Sequence, residues 1–138
     1  MRYSSKLTVA THILMCIDYF QGKEKVTSEF IAGSVNVNPV IVRNILGQLK
    51  RAGIVKVAAG VGGASLALDT AEISLLDVYK SVESNTDLFR FHDNPNPQCP
   101  VGRSIHPILG QHLKDVQKGM EQQLARISLK DLMDDLRR

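Results

Sequence analysis

The 138 residues suffice for one domain, or one domain with an attached oligomerisation arm; with no tryptophan, three tyrosines and four phenylalanines, its core must be mainly aliphatic. The net charge of +3 is uneven: residues 1–70 carry eight Lys/Arg against four acids, residues 71–138 nine against ten, so the excess positive charge sits where a polyanion can use it. Two cysteines, Cys16 and Cys99, exclude a disulfide framework, and no secretory signal or long apolar run is seen, so a soluble, cytoplasmic protein with reduced thiols and no membrane partner is expected.

Residues 5–20 read as a helix, because Leu7, Ala10, Leu14, Ile17 and Phe20 recur at three- and four-residue steps; Gly22 stops it. After a charged loop, a short helix begins at Thr27 or Ser28, both good N-caps. Glu29 suits its first turn, Phe30 and Ile31 face inward, and Gly33-Ser34 limits it to about two turns. Asn38-Pro39 is the clearest local signal: asparagine caps, and proline is favoured at the first helical position because its missing N–H has no partner to lose. That helix should run to about Ala52, bury Ile41, Ile45, Leu46 and Leu49, carry Lys50-Arg51 in its last turn and end at Gly53. The period then changes. Val55-Lys56-Val57 and Ser65-Leu66-Ala67-Leu68 alternate as strands around Gly60-Val61-Gly62-Gly63, a glycine-rich hairpin tip.

A further short helix starts near Ser74, with Asp77 at capping-box spacing and Leu75, Val78 and Val82 on one face. Residues 84–100 form an irregular linker, since Asn94-Pro95-Asn96-Pro97 opposes regular helix. A long helix covers about 103–126. Ile105, Ile108, Leu109, His112, Leu113, Val116, Met120, Leu124 and Ile127 hold an apolar stripe along it, more surface than one small domain can cover. A last short helix starts at Ser128, with Asp131 at capping distance.

Two short helices joined by a tight turn and followed by a glycine-tipped hairpin make a winged helix-turn-helix. The expected architecture is mainly α with a small β-hairpin wing (α+β): a winged helix-turn-helix over residues 1–70, and a linker with a helical dimerisation region over 71–138. The second helix of the pair fits the major groove of double-stranded DNA, and its first residues, Asn38, Val40, Arg43 and Asn44, suit base edges. Arginine pairs with guanine, asparagine with adenine, and valine touches a thymine methyl. Arg2, Lys6, Ser28, Lys56, Gly62 and Gly63 are candidate phosphate contacts, the glycines through close backbone approach. The glycine run lacks the following Lys-Ser/Thr of a nucleotide loop. No nucleophile–base constellation points to an enzyme. His92, His106 and His112 have no recognised metal-site spacing. Winged folds also serve as protein-interaction adaptors, which would bind DNA weakly and without regard to sequence.

The opening Met1-Arg2-Tyr3-Ser4-Ser5-Lys6, the segments Val26–Ala32 and Leu49–Val55, the wing Gly60–Ala64 and Ile127–Leu132 together resemble the BadM/Rrf-type family of bacterial transcription regulators over nearly the whole chain. The Asn-Pro…Cys-Pro-Val-Gly run before the long helix is similar to the YwnA-like branch. The resemblance implies a homodimer, usually repressing, on a partly palindromic operator, with the long helix as the dimerisation element. Cluster-bearing members hold iron–sulfur with three cysteines in the linker; this chain has Cys99 alone there, so no cluster or other cofactor is expected. Ala59 stands where those members carry a wing arginine, which points to a different operator. Cys99, just before a helix N-terminus, suits either a thiol switch, as in some members, or a small hydrophobe packed at the dimer seam, whereas Cys16 reads as core. No sequence feature names the effector.

Overall fold

A computed structural model describes residues 4–58 and 63–138. Among these residues, six helices and a two-stranded antiparallel hairpin follow in the order α1 (Lys6–Phe20), α2 (Ser28–Val35), α3 (Pro39–Arg51), β1 (Val55–Val57), β2 (Ala64–Leu66), α4 (Leu75–Val82), α5 (Pro100–Ala125) and α6 (Leu129–Leu136), with a 3₁₀ turn at Thr70–Glu72. Val55 pairs with Leu66, Lys56 with Ser65 and Val57 with Ala64.

The caps form as the sequence predicts. Phe30 N–H donates to Thr27 Oγ1 at 3.1 Å, starting α2. Val40 N–H donates to Asn38 Oδ1 at 2.9 Å, and Pro39 opens α3. The turn between them uses Asn36 in the left-handed conformation (φ 65°), with its N–H donating to Ala32 O. The buried stripe of α3 is Val42, Ile45, Leu46 and Leu49. Ile41, expected inside, is 45% exposed. Either Ile41 or Val42 can complete a helical row with Ile45, Leu46 and Leu49, and packing against α2 and α4 selects Val42.

The core lies around α1, whose Ala10, Ile13, Leu14 and Ile17 have no accessible surface, and Cys16 is buried beside them. It extends past residue 70: Ile73, Val78 and Val82, and Leu129 and Met133 of α6, belong to the same cluster. Two capping boxes lie back to back. Ser74 and Asp77 exchange hydrogen bonds at 3.0 and 3.1 Å, and Ser128 and Asp131 at 2.9 and 3.1 Å. Ser74 and Ser128 form an antiparallel bridge, with Leu75 N–H donating to Ile127 O and Leu129 N–H to Ile73 O, both at 2.8 Å. An Arg137–Asp18 ion pair at 3.3 Å ties the end of α6 to α1.

The long helix α5 starts at Pro100, three residues earlier than expected, with proline at its first position as in α3 but no side-chain capping hydrogen bond from Cys99. Its 26 residues extend about 39 Å. Pro107 sits inside it without ending it. The linker folds back along one side. Leu88 N–H donates to Gln117 Oε1, Gln117 Nε2 donates to Thr86 O, and Phe91 packs 4.8 Å from the His106 ring. At Gly102 a β-carbon would stand 2.5 Å from Asn96 O, so only glycine lets the linker lie this close.

Candidate nucleic-acid interface

The face of α3 opposite its buried stripe is open. Val40 is 50% exposed, and Arg43 and Asn44 are exposed one turn further on. The neighbouring Ile41 joins this surface, an apolar contact that the sequence pattern assigned to the core. Asn38 is exposed as well, yet its carboxamide oxygen is committed to the cap of α3, which leaves only its NH₂ group for a partner.

A cleft of about 760 Å³ opens between the start of α2, the side of α3 and the base of the wing. Lys25, Arg43 and Lys50 line it with a single carboxylate, Glu29, so it carries excess positive charge. Ser28 and Gly63 also line it. Arg43 Nη1 lies 3.2 Å from Glu29 Oε1, an ion pair across the two helices with both side chains more than half exposed. Sequence reasoning named Arg43 but missed this partner, because a side chain's contact across a turn has no sequence period. It counted Lys50 in the basic excess and in the last turn of α3 without placing it at this cleft.

Gly63 has a structural reason to be glycine besides any phosphate contact. Its φ is +76°, and a β-carbon would meet the Val26 backbone O, N and C at 3.0–3.2 Å. Ala64 N–H donates to Val26 O at 2.8 Å, pinning the wing base to the chain entering α2, and Ala58 N–H donates to Gly63 O at 3.0 Å within the wing. Lys56 is exposed on β1, and Lys6 is exposed at the start of α1, away from the cleft. Arg2, Gly62 and Ala59 lie outside the described residues.

The second candidate region is α5, which buries none of its residues. Ile108 (58%), Val116 (53%), Leu109 and His112 are exposed, and Ile105, Leu113, Met120 and Leu124 are half-buried. The expected stripe divides: Leu113 turns toward the cleft under the linker, which it lines with Phe91 and Gln117, while Ile108 and Val116 face outward. Cys99 is exposed at the N-cap of α5. The backbone N–H groups of Gly102 and Val101 hold its thiol below the ordinary cysteine range.

Iron–sulfur ligation does not fit these donors. Cys16 is sealed in the core and Cys99 is the remaining thiolate, whereas such clusters take about four ligands, mostly cysteines. Among the described residues no three His, Cys, Asp or Glu side chains converge as a metal site. No helix among them is long and apolar enough to cross a membrane.

A family model described as Rrf2, iron-dependent transcriptional regulator, matches residues 3–135. The candidate HTH-type transcriptional regulator YwnA of Bacillus subtilis (strain 168) is 50% identical over 133 residues, 96% of this chain and 98% of that protein. The crystal structure of a candidate DNA-binding protein superposes with a TM-score of 0.75 at 46% identity, covering 94% of this chain and 99% of its own. IscR of T. potens has the same fold at 21% identity and a TM-score of 0.73, over 99% of this chain and 88% of its own. The family, and YwnA by its description, are transcriptional regulators rather than enzymes.

Proposed function

As the chain belongs to the Rrf2 family of transcriptional regulators, we propose that it acts in the cytoplasm as a homodimeric repressor that reads a partly palindromic duplex operator. The observation that carries this reading is α3: one face is sealed into the core, and the other presents Val40, Arg43 and Asn44 beside a cleft lined by three cations. In this reading α3 enters the major groove. Arg43 and Asn44 read bases, with Asn38 and Val40 at the helix start. Arg2, Lys6, Ser28, Lys56 and the wing glycines Gly62 and Gly63 hold phosphates. Residues 1–70 supply the reading domain. The second half supplies the dimer contact through the outward stripe of α5, with Ile108 and Val116 at its centre.

Cys99 is the candidate sensor, as an exposed thiol at a helix start whose ionisation is eased by two backbone N–H groups. Oxidation by peroxide would remove two electrons and two protons from a pair of Cys99 thiols, one per protomer, and join them as a disulfide. A gel shift with the DNA upstream of the protein's own gene, over a salt series, tests the main reading. Specific binding that weakens as salt rises is expected; weak binding indifferent to sequence would support an adaptor instead. Sedimentation tests the dimer. Cys99→Ser tests the switch: unchanged binding with and without peroxide in both proteins would remove it.

A further inference from the structure

Glu29 is the anomaly of the cleft. Its carboxylate stands among Lys25, Arg43 and Lys50, where a surface built only to hold phosphates would carry no negative charge. As a first-turn acid Glu29 suits the dipole of α2, but that role needs no partner on α3. The Glu29–Arg43 pair is exposed on both sides, 52% for Arg43 and 70% for Glu29, and such pairs add little to folding. What the pair does is geometric. The buried Ile31, Ala32, Val42 and Ile45 fix α2 and α3 relative to each other, so the backbone at Glu29 places an acceptor within reach of the long Arg43 side chain and biases its direction. The carboxylate takes one N–H, from Nη1, and leaves the other donors of the guanidinium unpaired by it.

We infer that Glu29 is the specificity-determining positioning residue of this interface: it holds Arg43 aimed at a base edge and opposes binding to DNA that offers only phosphates. The inference rests on α3 being the reading helix. An arginine held in one rotamer loses less freedom when it pairs bidentately with guanine, and a free one is as well served by any phosphate. The carboxylate repels the backbone equally on every sequence, so it weakens general binding, while its hydrogen bond aids only the arginine-read position.

Selection from a pool of duplexes with a randomised centre, using the full-length protein and its Glu29→Ala, Glu29→Gln and Arg43→Ala variants, separates these effects. The wild type should enrich a two-fold motif, and Arg43→Ala should lose one guanine preference per half-site. Glu29→Ala should relax that same position, with discrimination falling by about two- to fivefold, the most an exposed ion pair supplies, while its affinity for random duplex rises. Glu29→Gln keeps an acceptor oxygen without the charge; it should retain most of the guanine preference and still bind random duplex more tightly. A purely structural role would move no single base position. A Glu29→Ala motif identical to the wild type's at every position overturns the inference, whereas a wild type that enriches no motif overturns the reading of α3 itself.

Discussion

Replacing Gly63 by alanine tests whether the wing is positioned by the close approach seen at its base. The φ of +76° costs an L-residue about 1–2 kcal/mol relative to glycine. The new β-carbon would also sit 3.0–3.2 Å from three backbone atoms of Val26, which cannot swing aside as a side chain tip could. Moving that backbone loosens the 2.8 Å hydrogen bond from Ala64 N–H to Val26 O, about another 1 kcal/mol. The combined cost is about 2–3 kcal/mol, a sizeable share of the ~5–15 kcal/mol that holds a domain together. With an unfolding entropy of about 0.3 kcal/mol/K for a chain of this length, Tm should fall by about 7–10 °C. The assay is thermal unfolding by circular dichroism at fixed protein concentration, with Gly33→Ala as the control. Gly33 lies inside α2 with nothing within 4 Å of an added β-carbon, so alanine there should stabilise by about 0.5–1 kcal/mol. If Gly63→Ala melts at or above the wild-type temperature, the strain argument is wrong.

Met133→Ala should lower stability by about 2–5 kcal/mol, because Met133 is 1% exposed in the shared core; an unmoved urea midpoint would show that α6 only decorates the surface. The Asp131 carboxyl is held below its ordinary 3.8 by the Ser128 N–H and then the Ser128 hydroxyl. Its stabilising effect is therefore complete above pH 3.8 and lost as pH falls through the depressed folded value. Acid unfolding of Asp131→Asn should lack that component, and superimposable acid transitions would refute it. Cys99 should react with iodoacetamide with a pH midpoint below that of a free cysteine, while buried Cys16 reacts only on unfolding; a Cys99 profile matching free cysteine removes the activation.

The helix starts were legible because capping is local chemistry. Thr27, Asn38, Ser74 and Ser128 each place an acceptor within three residues of the N–H that needs it, and all four cap as their sequence spacing implies. The start of α5 at Pro100 carries the same sign as α3, a residue-proline pair, but the nearby Asn94-Pro95-Asn96-Pro97 masks it. Ile41 illustrates a different limit. Periodicity gives the existence of an apolar row, while the phase of the row depends on which neighbours arrive, and that exchanged Ile41 for Val42 and added an apolar side chain to the candidate reading face. Of the candidate site, the sequence supplied Arg43 and Asn44 on the exposed side of α3 and Gly63 at the wing base. It did not supply the Glu29 partner or the Val26 backbone that makes glycine necessary.

The sequence alone thus determined the local events: where the four side-chain-capped helices begin, the switch from period 3.6 to period 2 at Ile54, the excess of positive charge before residue 71, and a thiol near the start of a long helix. These depend on interactions within a few residues or on composition, which survive without knowledge of the fold. Only the tertiary structure decided that α6 returns to complete the core around α1, that two capping boxes meet at Ser74 and Ser128, and that the apolar stripe of α5 is shared between its own linker and the outside. Those outcomes join residues from about twenty to more than a hundred positions apart. Their contacts are set by the shape left between packed helices, and no periodicity along the chain encodes that shape.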